Sequence, residues 1–216
     1  MPEEFVILVD ENDNPIGTEE KIKCHLPKGK LHRAFTALLF DENGRLVLTR
    51  RAKEKMLWPG DWDGTFASHP RKSETYVSSG ERRMPEELGI EGKLDYLHKF
   101  EYHVEYKEIG SENEICGTLI GVIDKFTELK KIKGEIDEIK WMSAKELILE
   151  LKTDPKKYCP WMIIALKLLN KSKELMIKKY ANILSVWITD EMQKVLEEAI
   201  ESHISNDKWR LVNETS

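Results

Sequence analysis

The hydrophobic pattern of this chain changes period near Ser143, and that change limits the fold more than any other feature. Upstream, short apolar runs lie between clusters of Asn, Asp, Pro and Gly; downstream, apolar residues recur at three- and four-residue spacing. Phe5 to Val9 reads as a strand, and Asp10-Glu-Asn-Asp-Asn-Pro-Ile-Gly17 as a hairpin turn into a second short extended piece. Thr18 before Glu19-Glu20-Lys21 has an N-cap signature, so a short helix is expected to run to about His25, where Pro27 and Gly29 break it. Arg33 to Phe40 and Arg45 to Arg51 read as extended runs, and the Asn-Gly pair in Asp41-Glu-Asn-Gly44 predicts a second hairpin. A helix is expected from about Thr75 to just before Gly89, a residue suited to a helix end, with Pro85 predicting a kink or a new turn. Further strands are expected at Lys99 to Tyr106, Glu114 to Asp124 and Glu138 to Met142. Helices follow at Ala144 to Leu151, Pro160 to Tyr180 and Asp190 to His203.

This order predicts an α/β (α+β) fold, a mixed sheet between helices, with a C-terminal helical extension. The 216 residues, 40% of them hydrophobic, suffice for one well-filled core, so residues 1–170 are expected to form the main domain. Residues 171–216 are expected as a helical extension packed on that domain or at an interface, the protein being a monomer or homodimer. A net charge of -5 argues against a nucleic-acid partner, which would require a concentrated basic surface. Cys24, Cys116 and Cys159 are odd in number and scattered, which fits free thiols in a reducing compartment and a cytoplasmic location. No apolar run approaches the roughly 18 residues of a membrane span, and the N-terminus lacks a secretory signal pattern, so a soluble protein is expected.

The candidate chemistry gathers around His69, in Trp58-Pro-Gly-Asp-Trp-Asp-Gly-Thr-Phe-Ala-Ser-His-Pro70. His25 and His32 flank a Pro/Gly-containing loop, and their spacing alone prescribes no shared face. Glu112 and Glu114 would point to one side of a strand, with Asn113 facing away. Three imidazoles and two carboxylates make a mixed N/O set suited to Mn2+, Zn2+ or Mg2+ rather than to a thiolate-selected metal. Taken singly, each histidine is more often a structural or solvated residue than a ligand, and the acidic pair can be a solvated edge.

Arg82-Arg-Met-Pro-Glu-Glu-Leu-Gly-Ile90 resembles the closing half of a Nudix box, the helix that brings carboxylates to a metal-bound diphosphate. With Leu31-His-Arg-Ala-Phe35, Leu48-Thr-Arg-Arg-Ala52, Trp58-Pro-Gly60, Ser68-His-Pro70, Glu112-Asn-Glu114 and Pro160-Trp-Met162 in order, the chain resembles the type 1 isopentenyl-diphosphate Delta-isomerases. The resemblance implies a Nudix fold and one divalent ion, Mn2+ or Zn2+, held by His25, His32, His69, Glu112 and Glu114. It also implies a diphosphate substrate gripped by Lys21, Arg51, Lys55 and Arg83, with Glu87 helping to hold Mg2+. Glu114 would be the acid/base, assisted by Tyr102, and Trp161 would face the carbocation of the conversion to dimethylallyl diphosphate.

Ala67 departs from the family, standing where the resemblance implies a catalytic cysteine, and Asp63-Gly-Thr-Phe66 departs from the family's Asn-Ser/Thr pattern. Water or Cys159 are candidate substitutes, while Cys116 would share the face of Glu114 but reads as a core residue. Against a hydrolytic Nudix box, Arg83 replaces the first glutamate and Ser68 the opening glycine, although Glu74, Glu86 and Glu87 remain. Hydrolysis of a prenyl or nucleotide diphosphate is therefore the alternative function, and diphosphate binding without turnover the third.

Overall fold

The run His32–Phe40 is apolar beyond its first two residues except for Thr36, and it is buried almost throughout, a pattern that suits a strand covered on both faces. The computed structural model describes residues 4–205 and 208–212. Its elements begin with β1 (Phe5–Val9), β2 (Pro15–Glu20), α1 (Lys21–His25), β3 (His32–Phe40), β4 (Leu46–Arg51), β5 (Trp62–Asp63) and β6 (Phe66–Ser68). Helix α2 (Tyr76–Leu88) precedes the long strands β7 (Asp95–Tyr106) and β8 (Gly110–Val122), then β9 (Ile136–Met142). Helices α3 (Ala144–Thr153), α4 (Pro160–Lys167), α5 (Glu174–Lys179), α6 (Ala181–Leu184) and α7 (Asp190–His203) follow, and β10 (Trp209–Val212) closes the described chain.

The sheet is mixed. β8 runs parallel to β3, from His32 beside Glu114 to Phe40 beside Val122, and the other strand pairings are antiparallel. Cross-strand neighbours share a face. Ala34, Leu38, Phe100, Tyr102 and Cys116 therefore turn toward α3, α4 and α7, while Phe35, Leu39 and Leu119 turn toward Met84 and Leu88 of α2. Helix α2 lies close because Gly80 carries no side chain: a Cβ there would meet Leu119 Cδ1 at 2.5 Å and Leu94 Cδ1 at 2.6 Å. Its ends follow the expected signals, with Thr75 accepting from Ser78 N and Gly89 closing the helix at φ 69°. The helix is continuous through Pro85.

Four local expectations are corrected. Thr18 is not a helix cap; it pairs with Ile7 inside β2, and α1 starts only at Lys21 without a side-chain cap. The second hairpin reduces to a single pairing, Phe40 with Leu46. Both flanks of β3 are already taken, by β8 and by Phe66–Ser68, so β4 diverges to pair with β5 and β9. The single helix expected at Pro160 to Tyr180 breaks into α4, a 3-10 turn and α5, with Ser172 extended and its hydroxyl 3.3 Å from His98 Nδ1. Finally, the C-terminal segment is not purely helical: β10 pairs along the open edge of β7, Trp209 beside Tyr102 and Leu211 beside Phe100.

The segment's apolar residues belong to the main core. Ile183, Leu184, Trp187, Met192, Leu196 and Ile200 share one cluster with Leu38, Phe40 and Phe100. Trp187 is fully buried against Phe40, and its Nε1–H donates to the Gly44 carbonyl at 2.8 Å.

Candidate active site

Four segments remote in sequence meet where β3 and β8 begin. His25 comes from the end of α1, His32 from the first position of β3, His69 from just beyond β6, and Glu114 stands beside His32 in the parallel pair. One ligand atom from each lies within 4.8 Å of the others, and all four residues are buried. Glu114 Oε1 is 3.3 Å from His32 Nε2 and 3.2 Å from His69 Nε2. Glu112, on the same side of β8, brings Oε2 to 3.0 Å from His25 Nε2 as an ion pair, and that buried oxygen has no hydrogen-bond partner.

Second contacts orient the rings. His25 Nδ1 is 2.6 Å from the Lys21 carbonyl and His32 Nδ1 2.7 Å from the Lys30 carbonyl, so each Nδ1 carries the donated proton and each Nε2 turns inward toward the carboxylates. Burial opposes charge on His25, but Glu112 and Glu114 outweigh it and raise its pKa to about 9. Burial and the charges of Lys21, His32 and His25 press His69 well below its ordinary value. Burial also works against the Glu114 carboxylate, while His32, His25 and the Tyr102 hydroxyl hold its pKa below the usual range. Clustered imidazoles and carboxylates with one unsatisfied buried oxygen make a donor set that fits a divalent cation.

A cavity of about 330 Å³ opens from this centre. Tyr102 and Trp161 line it, as do Lys21, Arg51 and Lys55, Ala67, and Cys116. Tyr102 Oη–H donates to Glu114 Oε2 at 2.6 Å. Trp161 packs edge-on to Trp58, ring centroids 5.2 Å apart, and donates its Nε1–H to Asp63 Oδ1 at 2.7 Å. The cations already have acidic partners: Lys21 meets Glu4 at 3.0 Å, Arg51 meets Asp63 at 3.3 Å, and Lys55 pairs with Glu135.

Arg83 and Glu87 do not line the cavity; they pair with one another along α2. Burial pushes the Glu87 carboxyl up, with Arg83 opposing and Glu135 assisting. Arg82 holds Glu74, and Arg82 and Arg83 both approach Glu86. The acids that remain of a hydrolytic box are thus engaged by arginines instead of converging.

The NUDIX domain model matches residues 30–162. Isopentenyl-diphosphate Delta-isomerase of Haloarcula marismortui is 39% identical over 171 residues, covering 75% of this chain and 89% of that protein. The chain belongs to the isopentenyl-diphosphate Delta-isomerase family of Nudix-domain proteins. The isomerase of Halobacterium salinarum is 37% identical over 171 residues, covering 75% of this chain and 78% of that protein. The crystal structure of DR0079 from Deinococcus radiodurans superimposes with a TM-score of 0.54 at 21% identity, over 69% of this chain and 90% of that one. That likeness concerns the fold alone.

Within this family member, sequence reasoning placed Cys116 in the core and missed Asp63. Cys116 is buried, but it does line the cavity; Cys159 is buried and does not line it, its backbone N–H bound to the Trp62 carbonyl. The period-two relation of Cys116 to Glu114 was the available signal. Asp63 stood out only within a segment that departs from the family pattern, because its side-chain partners, Arg51 and Trp161, lie 12 and 98 residues away.

Proposed function

We propose that the protein isomerises isopentenyl diphosphate to dimethylallyl diphosphate with the help of a divalent metal. What carries this is one cavity lining in which His25, His69, Glu112 and Glu114, with His32 grouped beside them, continue into Tyr102, Cys116 and Trp161. In the conversion a proton joins the terminal methylene carbon and another leaves the methylene on the far side of the tertiary carbon, which bears the positive charge between the two events. An alkene is a weak base, so both transfers need placed groups in a dry pocket. Glu114, fixed by Tyr102, is assigned one transfer. Ala67 has no group for the other. It sits opposite Thr36 on one flank of β3, while Cys116 sits opposite Ala34 on the other flank and the same face, so we assign the second transfer to the Cys116 thiol. The Trp161 ring faces the cation.

His25, His32, His69, Glu112 and Glu114 would hold Mn2+ or Zn2+, which when bound supplies positive charge that fixes the carboxylates. Mg2+ would arrive with the diphosphate, which supplies most of its oxygen ligands beside Glu87. Lys21, Arg51, Lys55 and Arg83 then exchange their internal acidic partners for phosphate oxygens. The engagement of Glu74 and Glu86 by Arg82 argues against the hydrolase alternative. Among the described residues no helix is long and apolar enough to cross a membrane. The three free, buried cysteines support a cytoplasmic location. Residues 171–216 are read as an extension of the 1–170 domain on the same core, in a monomer or homodimer.

Stripping divalent ions with a chelator should abolish the conversion, and adding Mg2+ with Mn2+ or Zn2+ should restore it. Full turnover in protein shown by elemental analysis to be metal-free would contradict the assignment.

A further inference from the structure

Trp161 does not stand alone beside the cavity. Its indole N–H donates to Asp63 Oδ1 at 2.7 Å, and the same oxygen accepts from Gly64 N at 2.7 Å. The other oxygen, Oδ2, lies 3.3 Å from Arg51 Nη1. Asp63 is buried at 2% exposure, and all three recorded partners are donors, an arrangement that only a carboxylate satisfies fully. Arg51 meanwhile places its guanidinium carbon 5.2 Å from the centroid of the Trp161 ring. A positive charge held there opposes the arrival of a second one, and in a buried site such a repulsion is weakly screened.

We propose that Asp63 is a positioning residue for isomerisation: it fixes the Trp161 ring and cancels the Arg51 charge beside it, so that the ring can face a cationic carbon. This rests on the proposed function, in which positive charge develops against Trp161. Arg51 is thereby free to serve as a diphosphate cation without raising the energy of the carbocation in the same cavity. A hydrogen bond from the indole N–H to an anion also raises the electron density of the ring, which strengthens its attraction for a cation.

The test compares two inhibitors of the metal-loaded enzyme that differ only in charge: 2-(dimethylamino)ethyl diphosphate, whose protonated nitrogen mimics the tertiary cation, and the neutral 3-methylbutyl diphosphate. Both carry the same diphosphate, so the ratio of their inhibition constants cancels losses in phosphate grip. The wild type should prefer the cationic probe. Asp63→Asn keeps an oxygen for the indole but removes the charge, and should lower that preference roughly tenfold or more. Arg51→Met/Asp63→Asn removes both charges and should recover the preference to within about threefold, even though both probes bind more weakly. A purely structural role for Asp63 would not be rescued by deleting its partner. Should Asp63→Asn fail to fold, Arg51→Met alone leaves Asp63 uncompensated and should raise the preference above wild type. An unchanged ratio in Asp63→Asn, no recovery in the double variant, or no rise in Arg51→Met overturns the role of Asp63. A wild type with no preference for the cationic probe overturns it at its root, by removing the carbocation reading of Trp161 itself.

Discussion

Tyr102 and Glu114 share a 2.6 Å hydrogen bond in a buried setting, where the hydroxyl both steadies the carboxylate and offers a route for its proton. Tyr102→Phe keeps the ring packing and deletes that donor, so kcat should fall by roughly tenfold to a hundredfold while KM and metal content hold. A kcat within twofold of wild type would reduce Tyr102 to packing. The thiol assignment has its own residue-scale test. Cys116→Ala should lower turnover at least about tenfold, and Ala67→Cys should restore activity on that background, because the two positions flank β3 on one face of the same cavity. Cys116→Ala at wild-type rate would leave the second proton transfer to water. Single residues were unevenly legible in the sequence. His25, His32, His69, Glu112 and Glu114 sit in a family register, and the structure gathers them. Cys116 and Asp63 owe their places to strands and helices that meet only in three dimensions.

At the scale of elements, local signals served well where the determinant is local. Thr75 and Gly89 bound α2 through a capping hydroxyl and a positive φ, and the apolar spacing of Asp190–His203 matches α7. Choice of partner was less legible. Asp41 organises the turn expected of it, its Oδ1 accepting from Asn43 N at 2.9 Å and Arg45 N at 2.8 Å, yet the strands it joins part after one pairing. Turn chemistry cannot reveal that β8 and β6 take the two flanks of β3 and leave β4 to pair elsewhere. Nor does the short run Trp209–Val212 carry enough pattern to announce an edge strand; the open side of β7 selects it. The contact between α2 and the sheet offers a sharp test. In Gly80→Ala the new methyl would stand 2.5 Å from Leu119 Cδ1, closer than packing allows, so the variant should lose roughly 1–3 kcal/mol of stability in denaturant unfolding. Unchanged stability would mean that Leu94 and Leu119 yield freely and that the close approach of α2 is not required.

Across the whole molecule, the sheet separates two tasks. Helix α2 on one face holds Arg83 and Glu87, while α4 on the other brings Trp161 over the strands that carry Tyr102, Glu114 and Cys116. The C-terminal segment reinforces the second side: Trp187 buries against Phe40, and β10 pairs with the strand of Tyr102. The alternation of strands followed by helices was visible in the sequence because each period reflects which face is buried. How the halves meet was not, because it depends on long-range pairing. The central claim is that this assembly moves protons on carbon and leaves the diphosphate intact. The most direct measurement incubates the protein with Mg2+, Mn2+ and isopentenyl diphosphate in deuterated water and follows deuterium and phosphorus by NMR. Deuterium appearing in dimethylallyl diphosphate, with no phosphate released, is the predicted result. Phosphate released without labelled dimethylallyl diphosphate would contradict it.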